Sequence, residues 1–293
     1  MGSFMGHVLP GSFFTMFGLW WAYNIFQRYH LCQRVGRTTQ DNGHRPTYTN
    51  TSTFPFSCYP GLPLEGILKV AVTTIGMTGE LITAFVHGTF THMGNSQHMT
   101  MYFFFGVNGA VDIMMHYRAP LPPDTDYVSA LLAFIVEGIL FLHHLHGRTE
   151  MDIQLHMLLV YVVGACVISI ALEMSYKSSV LPALARAYFV LLQGMWFLQV
   201  GFILYPPVGS KWNEESPRQM MLATNILCWH MAAIFILLLV MGWIIHHRVK
   251  ALSPTSLYHN LHSLSHTNVN YMVTKLDTEQ VQRIIADSDE EEV

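Results

Sequence analysis

The chain has 293 residues, 51% of them hydrophobic and 12% charged, whereas a soluble domain carries about 25% charged residues. Its apolar residues form continuous runs of about 20, long enough to cross about 30 Å of hydrocarbon, which excludes an ordinary soluble domain and argues against a β-barrel. The net charge of -4 comes largely from the terminal DSDEEEV, and no basic patch suited to nucleic acid is present.

Seven spans are expected, at 8–28, 64–86, 97–116, 127–146, 152–174, 182–205 and 220–245. The expected fold is an all-α seven-transmembrane-helix bundle over residues 1–250, followed by a polar, largely disordered tail at 251–293. The first run has no basic region before it and no small-residue cleavage site after it, so it reads as a spanning helix and not as a signal peptide. Trp20 and Trp21 suit an aromatic belt or a packing position. The loop that follows, GRTTQDNGHRPTYTNTST, is rich in Thr, Asn, Gly and Pro and is expected to be flexible.

Span two carries Lys69 and Glu80 and ends at His87. Span three opens on His98 and holds Asp112; its MYFFFG stretch is a packing or lipid-facing surface. Span four has Glu137 at its middle and closes with His143, His144 and His146. A short turn, Gly147-Arg148-Thr149, leads to Asp152 and His156 at the start of span five, which ends near Glu173. Span six contributes Arg186, Gln193 and Gln199, and span seven His230. Cys166 and Cys228 sit in apolar runs and read as small core residues.

Orientation follows from basic residues. Arg28, Arg34, Arg37 and Arg45, then Arg118, Lys177, Arg248 and Lys250, outnumber Arg148, Lys211 and Arg218 on the opposite side. The expectation is a cytosolic C-terminus and a lumenal or extracellular N-terminus. Asn50-Thr51-Ser52, a formal glycosylation acceptor, then faces the cytosol and stays unmodified, and Cys32 and Cys58 stay reduced. Lys69 and Arg186 fall near cytosolic helix ends, where they can snorkel.

Ionisable groups in a bilayer cost about 3 kcal/mol each on insertion scales, so their presence asks for a use. With this topology Glu80, His98, Glu137, His144, Asp152 and His156 collect in the non-cytosolic leaflet. Asp152 and His156 are four apart, hence on one helix face. His98, His144, His146, Asp152 and His156 form a candidate ligand set, and histidine with carboxylate suits zinc. Glu137 and Asp152 are the candidate general bases. A plain hydrogen-bonded polar network and a proton or ligand pathway stay open beside the metal. The other intramembrane polar residues are Glu80, Asp112, Glu173, Gln193 and His230. Asp112 and Glu173 lie toward the cytosolic side and are expected to pair with Lys69 or Arg186. His230 is expected to be buried and hydrogen-bonded, with a fourth-ligand or acid/base role as the alternative.

In the tail, Tyr258-His259-Asn260-Leu261 matches the pattern read by endocytic adaptors, with Tyr258 and Leu261 as its anchors. No GxGxxG, Walker or GxSxG element is present, so nucleotide binding and a serine-hydrolase elbow lack support.

Several long motifs carry a resemblance. MGSFMGHVLPGSFFTMFGLWW, HMTMYFFFGVNGAVD, EGILFLHHLHGR with MDIQLH, LLQGMWFLQVGFILYPP and CWH are similar to the transmembrane protein 45 family. The resemblance implies a seven-span protein of Golgi, endosomal, lysosomal or surface membranes, with links to trafficking and innate defence and no established reaction. It extends to Glu80, His98, Glu137, His144, His146, Asp152, His156 and His230. His143 is not matched, which argues against it as a ligand. A looser analogy runs to seven-helix membrane hydrolases of the alkaline ceramidase and adiponectin-receptor kind, but the paired HxxxH of their last span is missing.

Three functions therefore compete. The first is a non-enzymatic trafficking protein, with the lipid bilayer, tail-binding adaptors and a second copy of the chain as partners. The second is a zinc-dependent hydrolase of a lipid amide or ester. The third is a transporter or receptor.

Overall fold

The structure is a computed structural model, and it describes residues 3–38, 48–56, 59, 61–253 and 256–257. Among the described residues seven helices follow one another: α1 (Phe4–Thr38), α2 (Leu64–Ala84), α3 (Met93–His116), α4 (Thr125–Leu142), α5 (Glu150–Ser175), α6 (Val180–Leu204) and α7 (Pro217–Lys250). A two-residue antiparallel hairpin, β1 (Phe85–Val86) and β2 (Thr89–Phe90), joins α2 to α3. Its turn residues His87 and Gly88 both have positive φ, as a tight hairpin turn requires.

The chain is all-α apart from that hairpin, and it is a multi-span membrane protein. Five helices, α2, α4, α5, α6 and α7, are long and apolar enough to cross a membrane among the described residues. Helices α1 and α3, expected as spans, do not meet that test, because they dilute their apolar residues with polar ones. Helix α1 carries His7, Asn24 and Arg28, and α3 opens with Asn95, Ser96, Gln97 and His98.

Helices α2 to α6 pack on their sequential neighbours, as short connections dictate. Helix α1 lies along α6, and α7 covers α1 and α6 from outside. Small residues set the two closest crossings. A Cβ on Gly194 of α6 would stand 2.4 Å from the Thr15 backbone nitrogen, and one on Gly18 of α1 would stand 2.8 Å from Leu191 Cα. Gly66 and Gly109 bring α2 and α3 together in the same way. Missing side chains let backbones approach and gain van der Waals contact, the main attraction available between helices in lipid. The core centres on α5 and α6, where Trp196, Leu155, Leu159 and Leu191 are buried. Outward-facing residues such as Ile75, Ile82, Leu181, Trp229 and Trp243 are apolar and exposed, as a lipid-facing surface should be. Cys166 is buried, but Cys228 is exposed on α7 and is not a core residue. Cys58 lies outside the described residues.

The first loop departs from expectation. Where it is described, at 48–56, it is tucked into one end of the bundle. Asn50, Thr51, Ser52 and Phe54 are buried. Asn50 N donates to Lys177 O at 2.7 Å, and its Nδ2 donates to Ser179 O at 2.9 Å and Tyr176 O at 3.0 Å. It thereby ties the loop to carbonyls of the α5–α6 connection. Hydrophilic composition suggested a flexible loop, but the same amide groups that favour turns also satisfy exposed helix ends.

Candidate functional site

A cavity of about 620 Å³ runs inside the bundle, lined by α1 to α6 and by Ser52 of the first loop; α7 contributes nothing to it. On α1 the lining extends from Ser3 to Trp21, which is about 27 Å along the helix. Its chemistry changes with depth.

The outer end holds most of the acids and histidines singled out from sequence. Glu80 Oε1 lies 3.1 Å from His98 Nδ1, and the His98 and His144 rings are 5.2 Å apart. His144 Nδ1 bonds to Gln97 Oε1. Thr149 caps α5 by accepting from Asp152 N, which places Asp152 and His156 one turn apart on a common face. Arg148 donates to both Asp152 oxygens, at 3.0 and 2.8 Å, and His156 Nδ1 sits 2.7 Å from Asp152 Oδ1. His7, which sequence reasoning missed, packs 6.0 Å from His156 and donates from Nδ1 to Ser3 O at 2.8 Å. A lone histidine near the chain start gave no signal for it. Burial, the Arg148 guanidinium and the neighbouring His98 hold the His144 imidazole down at about 4. It belongs to the α4–α5 connection, beyond the end of the apolar helix.

The five-residue metal set does not converge. Among the described residues no three His, Cys, Asp or Glu side chains are placed to hold one ion. Asp152 is occupied by Arg148 and His156, His144 Nδ1 by Gln97, His98 Nδ1 by Glu80, and His146 is exposed. The donor set therefore does not fit zinc. Sequence spacing put these residues at one depth but could not reveal that each had its own partner. His230 also stands apart. It is half-buried on α7, 6.2 Å from the Trp196 ring, and its Nδ1 has no hydrogen-bond partner.

The middle of the cavity is aromatic. Phe134, Glu137 and Phe141 share one face of α4, at i, i+3 and i+7. Phe14 stacks on Phe197 at 5.9 Å, and Phe141 meets Phe197 at 5.8 Å. Glu137 is buried, and its two oxygens accept from Gln193 Nε2 at 2.9 and 3.0 Å. Cys166 Sγ donates to the Oε1 of that same glutamine at 3.5 Å.

The opposite end carries Lys69 and Arg186, each paired with an acid. Lys69 Nζ bonds Asp112 at 2.6 Å and Asn108 at 2.9 Å. Arg186 pairs with Glu173 at 2.5 Å and lies over the Trp21 ring. Tyr127 donates to Glu173 at 3.1 Å. Both basic residues thus turn into the bundle and do not snorkel to the surface. Glu65, missed from sequence because it opens span two, accepts from Trp20 Nε1, Trp21 Nε1 and Phe54 N. Ser52 donates to Asp126, which fastens the buried loop to α4. Tyr258 and Leu261 lie outside the described residues.

Comparison with known proteins gives a partial assignment. A model of a family of unknown function, DUF716, matches residues 124–242, from the start of α4 to late α7. Transmembrane epididymal protein 1A of Mus musculus is 24% identical over 244 residues, covering 78% of this chain and 76% of that protein. Transmembrane epididymal protein 1 of Rattus norvegicus is 25% identical with the same coverage. Transmembrane epididymal protein 1 of Homo sapiens is 27% identical over 183 residues, 56% of this chain and 64% of that one. The chain is similar to a multi-span membrane family of unknown function. The matched stretch supplies Phe134, Glu137, Phe141, His156, Arg186 and Phe197 of the lining, so it contains one wall of the cavity.

Proposed function

We propose that this chain is a seven-span membrane protein that binds one amphipathic molecule in the cavity of its bundle, and acts as a binding protein or receptor and not as a hydrolase. The observation that carries this is the cavity itself. Its volume of about 620 Å³ lies within the range of about 300–1,000 Å³ usual for ligand pockets, and its walls combine an apolar middle with a few placed polar groups. The third of the competing functions thus moves ahead of the second, whose ligand set is not assembled.

The seven-span topology is supported by packing. Helix α1 lies against α6, an apolar candidate span, and α3 lies against α2, another. The polar side chains that keep α1 and α3 from reading as spans, among them His7, His98 and Asn108, point into the bundle, where they border the cavity. The bias of basic residues places the outer, histidine-rich end on the lumenal or extracellular side. Kinship with the transmembrane protein 45 family, a trafficking role, adaptor contacts through residues 251–293 and self-association rest on sequence resemblance and on the tail.

Native mass spectrometry of the purified chain tests the reading. One bound lipid-sized molecule per chain is expected, and Ala130→Trp, which places an indole in the cavity, should remove it. Absence of bound mass on the unaltered chain, or equal retention by Ala130→Trp, would overturn the reading.

A further inference from the structure

Two carboxyl side chains line the cavity, Glu80 and Glu137, and their surroundings differ. Glu80 has His98 beside it. Glu137 has only the neutral amide of Gln193. The three strong cations of the lining are each committed elsewhere: Lys69 to Asp112, Arg148 to Asp152 and Arg186 to Glu173. Among the described residues, none therefore supplies a counter-charge to the one acid placed at mid-cavity. A buried carboxylate without a cation is costly in a membrane interior, and a ligand that brings the missing charge gains what the protein leaves unsatisfied.

The walls around Glu137 suit such a ligand. Phe134 and Phe141 flank it on α4, and Phe14 and Phe197 close the other side. Aromatic faces attract an ammonium group through the ring quadrupole, and more strongly where water is excluded. The deeper cavity continues past Phe134, Ala130 and Ile170 to Tyr127, ten residues from Glu137 on α4, where Lys69 and Arg186 are already paired with acids, which leaves about 15 Å for an apolar body.

We propose that Glu137 is the anchoring counter-ion for a protonated amine carried on an apolar body, an amphipathic amine that enters from the histidine-rich end. The assignment rests on the cavity being a ligand site and adds the chemical class of the ligand. Phe134 and Phe141 hold the ammonium by their ring faces, and Gln193 orients the carboxylate.

The test compares dodecylamine with dodecanol, matched in length but not in charge. Displaceable binding of radiolabelled probe is measured on the full chain in nanodiscs, with empty nanodiscs subtracted. The amine should bind the unaltered chain at least about tenfold tighter than the alcohol, the least expected of a desolvated charge pair. Glu137→Gln should remove that preference, so that the amine binds no more tightly than the alcohol. Glu137→Asp, which keeps the charge, should retain the preference and guards against a folding defect in the neutral variant. Equal binding of amine and alcohol to the unaltered chain overturns the amine assignment and leaves the cavity reading intact. So does an amine preference that survives Glu137→Gln. Binding of both probes that is indifferent to Ala130→Trp overturns the cavity reading itself.

Discussion

Arg186 of α6 and Glu173 of α5 meet at 2.5 Å in a setting closed to solvent, with Tyr127, Thr51 O and the Trp21 ring completing their surroundings. Both side chains are buried, at 4% and 0% exposure. Removing one partner leaves the other charged and buried, at a cost of about 3–5 kcal/mol. Glu173→Ala should therefore unfold at markedly lower temperature in detergent, and Arg186→Met should do the same. The double variant Glu173→Leu with Arg186→Met should recover much of the loss, because no orphan charge remains. A double variant as unstable as the sum of the two singles would show that the pair matters for more than mutual neutralisation.

The buried loop gives a second expectation. Asn50 Nδ2 donates to Tyr176 O and Ser179 O, so Asn50→Ala removes two hydrogen bonds made by a buried side chain. A loss of about 1–3 kcal/mol is expected. A glycan on Asn50 is incompatible with the folded chain, since its amide is buried and engaged. Mass analysis of protein expressed in a glycosylating cell should show no glycan there.

A third expectation concerns the α1–α6 crossing. With the Thr15 backbone 2.4 Å from the Cβ position of Gly194, even alanine forces the helices apart. Overpacking costs about 1–3 kcal/mol where neighbours can move and more where backbone is met, as here. Gly194→Leu should abolish stable expression, whereas Gly164→Leu, at a glycine with nothing near its Cβ position, should be tolerated.

The outer end of the cavity should respond to pH. The His144 imidazole is held down at about 4, first by burial and then by Arg148 and His98, so the unfolded chain takes up its proton at higher pH than the folded one. Between about 6.5 and 4 the unfolded state then binds more protons, and stability falls as pH falls. The thermal midpoint of the unaltered chain should drop through that window, and His144→Gln should drop less. An equal slope in both would contradict the placement of His144.

Much of this was legible in the chain. Continuous apolar runs gave α2 to α6 to within about four residues of their boundaries, because a bilayer imposes length and hydropathy directly on sequence, whereas α1 and α7 run on to Thr38 and Lys250, past the apolar stretches. The acids and histidines of the outer end were found through their cost in a membrane and their helical spacing. What spacing could not supply was pairing. It put Asp152 and His156 on one face but not Arg148 against Asp152, nor Gln97 against His144, and so a metal set was expected where separate pairs stand. Glu65 and His7 escaped because each sits at the start of a helix, where polar residues are ordinary. The burial of Asn50 and Ser52 was hidden by a composition that reads equally well as a solvated loop.

The claim that the bundle is built around an occupied cavity is tested most directly by a cryo-electron-microscopy map of the full chain in nanodiscs. The account predicts elongated density between Phe14, Phe134 and Phe197, with one end beside Glu137. A bundle whose phenylalanines close on one another and leave no space for a ligand would contradict it.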